Sequence, residues 1–172
     1  MTGNTEKSVQ TLADKIETTN SEMRVQTFLW LLFTTDVVTR YLDTHLSKYE
    51  VSRTGFHVLN TLVTHAGTMK PTEISKIVFR TKHTITRTVD ELEKRGLVER
   101  KTIGEDRRTR QVSITSKGLD LVRAALPDLR QVSRAATSSL GKEQTSQLNN
   151  ILKQLSKDLL TQMAEKNKKA ES

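Results

Sequence analysis

The sequence predicts a mostly α chain with one small β-hairpin, an α+β fold. Three observations carry that prediction. Apolar residues recur at helical spacing along most of the chain, as in Ile85, Val89 and Leu92. Two β-prone runs, residues 98–103 and 111–115, enclose an arginine-rich tip, and Val112 and Ile114 alternate on one face. Long apolar stripes near both ends are wider than one small core needs.

Residues 1–20 are polar and read as a frayed tail, although Val9, Leu12 and Ile16 share one helical face. Residues 21–49 read as a long helix, roughly 40 Å at 1.5 Å per residue. Val25, Phe28, Leu29, Leu32, Leu42 and Leu46 mark its buried side; Leu31, Phe33, Val37, Val38 and Tyr41 widen it. Asp36 interrupts that apolar side. It either pairs with Arg40 four residues on or lines a cleft beside Trp30, Phe33 and Phe56.

Ser52 can cap a second helix that presents Phe56, Leu59, Leu62 and Val63 to the core and ends near Gly67. Pro71 suits the first turn of a short helix, where a missing N–H costs nothing. Ile74, Ile77 and Val78 make its buried side. Thr72 lies at its N-terminal end, where outward N–H groups suit a phosphate oxygen. The three-residue link Phe79-Arg80-Thr81 is about the length of the turn between two helices of a helix-turn-helix.

Thr81 caps the next helix, and Gly96 stops it after Lys94 and Arg95, cations that suit the negative end of the helix dipole. Opposite the Ile85-Val89-Leu92 stripe stand Lys82, His83, Thr86, Arg87 and Asp90, with Thr84 beside them. Arginine pairs bidentately with guanine, and threonine meets an acceptor or a thymine methyl. The hairpin tip carries Arg107, Arg108 and Arg110. Three arginines in four positions make a poor turn unless an anion balances them, and a narrow minor groove is such an anion. Asp106 is either an ordinary turn residue or a partner that fixes the direction of Arg108.

Ser116 can cap a further long helix over residues 117–140, with Pro127 expected to kink or restart it. Gly141 then separates a last helix. Its Leu148, Ile151, Leu152, Leu155, Leu159 and Met163 form a near-heptad stripe that wants another helix. The final six residues read as a loose tail.

Residues Asp106, Arg108, Val112, Ile114, Thr115 and Gly118 fill the pattern D-x-R-x-x-x-V-x-[LI]-T-x-x-G. Together with PTEISKIV and TKHTITRTVDELEKRGLVER upstream, they resemble the DNA-recognition region of MarR-family winged-helix transcription regulators. The resemblance covers roughly residues 21–166. It implies a winged helix-turn-helix over residues 51–116, a dimerisation helix over 21–50, and C-terminal dimerisation helices over 117–166. Flexible ends at 1–20 and 167–172 complete the domain reading. It also implies a homodimer whose recognition helices enter successive major grooves, with Arg108 reaching the minor groove. Where such regulators often carry serines early in the recognition helix, this chain has Lys82 and His83, which bears on the operator sequence rather than the binding mode.

The partners implied are double-stranded DNA and a second copy of the chain. The function implied is a sequence-specific transcriptional regulator, read as a repressor of a pseudo-palindromic operator. A small aromatic effector, bound in the cleft of Trp30, Phe33, Asp36 and Phe56, would release it. Two rivals are a sequence-indifferent architectural DNA-binding protein and a winged-helix module recruited to bind protein.

Composition agrees. The net charge is +8, and residues 69–111 carry twelve basic and seven acidic residues, so most of the excess sits in a quarter of the chain. No long apolar run suggests a membrane span, and the first 20 residues do not read as a signal peptide. There is no cysteine, which fits a cytoplasmic chain and removes thiol-based sensing. The four histidines, at 45, 57, 65 and 83, lack ligand spacing, and no nucleophile elbow or phosphate-cradling glycine loop appears. Neither a metal, another cofactor nor an enzymatic activity is expected.

Overall fold

The structure is a computed structural model that describes residues 22–102 and 110–170, together with positions 10, 11, 14 and 16. The elements are α1 (Met23–Leu46), a 3₁₀ turn (Ser47–Tyr49), α2 (Arg53–Thr64), β1 (Thr68–Met69), α3 (Pro71–Ile77), α4 (Lys82–Lys94), β2 (Val98–Thr102), β3 (Arg110–Ile114), α5 (Ser116–Ala136) and α6 (Lys142–Ala170). They fall into two compact units, one reaching to Leu129 and the other starting at Arg130. The expected N-terminal tail lies mostly outside the described residues; of the four described positions there, Ile16 is buried. No helix among the described residues is long and apolar enough to cross a membrane.

The core of the first unit is one cluster. Val58, Leu59 and Leu62 of α2, Ile74 of α3, and Ile85, Val89 and Leu92 of α4 converge on Leu97 just before β2, Val98 of β2, Val112 of β3 and Val122 of α5. Each of these side chains is at most 3% exposed. At about 25 cal/mol per Å² of apolar surface removed from water, this shared core is what holds three short helices together.

Local signals set the element ends. Ser52 caps α2 by accepting the Gly55 N–H at 3.1 Å, and Pro71 opens α3 as the sequence suggests. The Glu73 carboxylate accepts the Lys70 N–H at 3.0 Å, tying down the entry to α3. Gly96 takes φ +68, the left-handed conformation that ends α4.

Several expectations need correction. The sheet has three strands, in the order β1-β3-β2: Thr68 pairs with Ser113 and Met69 with Val112. A two-residue strand has no periodicity to read, so the sequence gives no sign of β1. Ile77, expected in the core, is 43% exposed, because α3 ends there and only Ile74 and Val78 turn inward. The cap of α5 is Thr115 rather than Ser116: its hydroxyl accepts the Gly118 N–H at 3.1 Å. α5 continues through Pro127 instead of restarting after it and ends at Ala136, and α6 runs on to Ala170, past the expected start of a tail at 167.

A polar clasp closes the first unit between the 3₁₀ turn and α5. The Asp128 carboxylate accepts from both the Lys48 ammonium and the Tyr49 hydroxyl. The Lys48 and Tyr49 hydrogen bonds hold the Asp128 carboxyl below its ordinary value. A carboxyl lowered by folding stabilises above its unfolded pKa and loses that contribution as pH falls through the folded one. Asp128→Asn should therefore melt below wild type at pH 7, and the gap should shrink on acidification below about pH 4, the ordinary carboxyl range. Thermal melts across pH 2–7 check this.

Candidate nucleic-acid interface

α4 is amphipathic by construction. Ile85, Thr88, Val89 and Leu92 are buried. Lys82, His83, Thr86 and Arg87 stand in solvent, as the sequence predicts for a reading face. Thr81 caps the helix by accepting the Thr84 N–H at 3.2 Å, and its hydroxyl meets that of Thr84 at 2.9 Å. Thr84 is half-buried, so it serves the helix end more than the open face. The Thr86 hydroxyl donates to the Lys82 carbonyl at 2.9 Å and keeps an accepting lone pair outward. Arg87 approaches Glu91 at 3.8 Å, but its side chain is 74% exposed, so the pair is weak and the guanidinium is free to turn. Thr72 is exposed in the first turn of α3.

Asp90, expected on the open face, is engaged. Arg100 of β2 reaches back to Asp90 and Glu93 of α4, and its backbone N–H donates to Glu93 Oε1 at 3.0 Å. Burial works against the Arg100 charge, but the hydrogen bond it donates to Asp90 and the attraction of Glu93 outweigh it and raise its pKa. One arginine thus neutralises two carboxylates beside the exposed side of α4 and fixes the first hairpin strand to that helix.

The C-terminus of α4 is held as firmly. The Arg95 guanidinium donates to the Tyr49 and Glu50 carbonyls, and Lys117 donates to the Arg95 carbonyl at 2.8 Å. The Thr115 hydroxyl donates to the Gly96 carbonyl at 2.7 Å, and the Thr115 N–H to the Leu97 carbonyl at 3.1 Å. The sequence places Arg95 only as a cation at the negative end of the helix dipole and gives Arg100 no role of its own, because the carbonyl partners of Arg95 lie about 45 residues away and those of Arg100 on the preceding helix.

β2 and β3 pair antiparallel from Val98 opposite Ile114 to Thr102 opposite Arg110. The expected tip residues Asp106, Arg107 and Arg108 lie outside the described residues, as does the side chain of Arg110.

Of the expected ligand cleft, Trp30 and Phe33 meet edge-on, with ring centroids 5.9 Å apart. Phe56 packs against the core cluster. Asp36 is exposed and makes no ion pair with Arg40.

A model described as the MarR family matches residues 49–109, the span from the 3₁₀ turn into the hairpin. The HTH-type transcriptional regulator MhqR of Bacillus subtilis is 30% identical over 115 residues, covering 67% of this chain and 79% of MhqR. The chain belongs to the MarR family. The transcriptional repressor MprA of Escherichia coli is 32% identical over 111 residues, which span 64% of this chain and 63% of MprA. Among solved structures, the MarR-family regulator AbsC of Streptomyces coelicolor superposes with TM-score 0.73 at 20% identity, over 83% of this chain and 99% of that one. A mutant of Escherichia coli MarR complexed with operator DNA does so with TM-score 0.69 at 22% identity, over 78% and 99%. At such identities the superpositions establish the MarR fold alone.

Proposed function

We propose that this MarR-family chain is a DNA-binding transcriptional repressor that acts as a homodimer on a pseudo-palindromic operator. One observation carries the reading: a capped helix with a wholly buried apolar side offers Lys82, His83, Thr86 and Arg87 to solvent. Such a helix fits a major groove, and its N-terminal residues are the ones that reach base edges in a helix-turn-helix. Phosphate contacts position the protein and supply most affinity, while these four residues choose the sequence. Arg108 and its neighbours at the hairpin tip would add a minor-groove contact.

Dimerisation is supported by apolar surface that one chain leaves open. On α1, Phe28, Leu32, Val37, Val38 and Tyr41 are each at least 38% exposed. On α6, Leu148, Ile151, Leu152, Leu159, Leu160 and Met163 are each at least 40% exposed. Patches of this extent mark interaction surfaces. Leu32→Glu with Ile151→Glu should shift the protein from dimer to monomer in sedimentation and weaken operator binding with it. A monomeric wild type would refute the dimer.

Release by a small aromatic effector at Trp30, Phe33, Asp36 and Phe56 belongs to the same reading. A ligand there changes DNA affinity only by binding one spacing of the recognition helices better than another.

The test is binding to the DNA upstream of the protein's own gene, against a scrambled duplex, at about 0.15 M salt. A preference of about a thousandfold supports specific recognition. Where none is found, selection from a random pool follows. Failure to enrich any sequence would overturn the reading in favour of sequence-indifferent coating.

A further inference from the structure

A small cavity of about 220 Å³ lies where the start of α2 faces the turn between α3 and α4, lined by Arg53, Thr54, His57, Val78 and Arg80. Three of these five side chains are basic and none is acidic. The Arg53 guanidinium donates to the Thr39 hydroxyl, and that of Arg80 to the Phe79 carbonyl at 2.9 Å. Neither forms an ion pair with a carboxylate among the described residues, and the His57 ring makes no hydrogen bond there. Of the other described arginines in this unit, those at 87, 95, 100 and 123 each have a carboxylate within 4 Å, and Arg24 and Arg40 of α1 have none among the described residues but do not line this cavity. Burial, and after it the nearby Arg80 charge, hold the His57 imidazole below its ordinary pKa.

Two guanidiniums that line one cavity without acid partners repel one another, and an anion in that cavity relieves the repulsion. Arginine offers a fork of donors that matches phosphate oxygens, and Thr54 adds a hydroxyl donor. The volume suits a group of phosphate size rather than a drug-sized ligand. Arg80 also lines the adjoining cleft with Lys76, Phe79 and Lys82, which continues the positive surface to the first turn of α4.

We propose that Arg53, Thr54, His57 and Arg80 form a phosphate-binding notch beside the recognition helix. Its two sources of phosphate are the DNA backbone flanking the operator, which rests on the function proposed above, and a free phosphorylated small molecule.

The His57 ring resonances in the full chain report occupancy directly. Inorganic phosphate and, separately, the selected operator duplex are titrated into wild type and into Arg53→Gln/Arg80→Gln. DNA affinity of both proteins is also measured against salt. A His57 shift with phosphate and with duplex, both lost in the variant, is the expected result. With it, the salt slope on cognate and scrambled DNA alike should flatten by about one unit per protomer, since each neutralised phosphate contributes about 0.9. A His57 shift with phosphate but not with duplex, and an unchanged slope, assigns the notch to a free phosphorylated ligand. No His57 response to either titrant, or an equal response in the variant, overturns the notch. The phosphate titration needs no operator, so failure of specific DNA binding and failure of the notch remain separable. Matching melting temperatures confirm that the variant is folded.

Discussion

Gly118→Ala is expected to destabilise the protein by about 3 kcal/mol, at the upper end of what overpacking a core costs. Helix propensity argues the other way, because alanine inside a helix is favoured over glycine by about 1 kcal/mol. Gly118 lies in the first turn of α5, so a propensity ledger alone predicts stabilisation. The structure reverses that sign. A Cβ at Gly118 would stand 2.2 Å from the Leu97 carbonyl oxygen and 2.9 Å from Ile114 Cγ1. The first of these atoms is backbone and is already committed, since the Leu97 carbonyl accepts the Thr115 N–H. Relieving the clash means moving α5 away from the exit of α4, which breaks that bond and stretches the Thr115 hydroxyl contact to Gly96. Urea unfolding at neutral pH reads the loss as a lower midpoint. An unchanged or raised midpoint would mean that α5 can shift freely at this corner. DNA affinity should fall together with stability, because the same corner anchors the end of α4, the helix proposed to read DNA.

That corner illustrates which features the sequence made legible. Thr115 and Gly118 were visible as pattern residues, yet nothing in the sequence states that the threonine caps α5 and binds Gly96, or that the glycine admits Leu97. The same holds across the unit. α4 was readable almost to the residue because its stripe, its threonine cap and its glycine stop are local and agree with one another. The cap of α2 at Ser52 and Pro71 at the start of α3 were readable for the same reason. β1 was not, because two residues carry no pattern and the strand exists only through its pairing with β3. Ile77 was misplaced because apolar spacing in a seven-residue helix cannot show which residue the core reaches.

Charge was the hardest feature to interpret. Composition located positive charge around α4 but not its division of labour. Arg95 and Arg100 turn out to be structural, one bonded to backbone carbonyls and the other to two carboxylates. Arg53 and Arg80 lack such carboxylate partners, and Arg87 has only a loose one. The Arg95 pairing spans about 45 residues, and the Arg100 pairing depends on how β2 folds back on α4, so both are properties of the fold rather than of local spacing. The candidate reading residues could be named from the sequence because exposure on an amphipathic helix follows from its period.

Arg87→Ala is accordingly expected to cost about 1–3 kcal/mol on the cognate operator and much less on scrambled DNA, the signature of a lost base contact. The arginine lies in the second turn of α4, its side chain is 74% exposed, and its contact to Glu91 is 3.8 Å long. Exposed pairs of this kind hold less than about 1 kcal/mol, so DNA can draw the guanidinium away at little penalty. The neighbouring carboxylates do not compete for it, because Asp90 and Glu93 are occupied by Arg100. Truncation removes a mostly exposed side chain, so the melting temperature should stay within about a degree or two, as for surface changes of under 0.5 kcal/mol. Arg87→Lys separates charge from geometry: lysine keeps the phosphate attraction but loses the bidentate fork to guanine. It should retain affinity for scrambled DNA while losing most of the preference for the operator. Equal losses on both duplexes, from either substitution, would make Arg87 a phosphate contact and would move sequence choice to Lys82, His83 and Thr86.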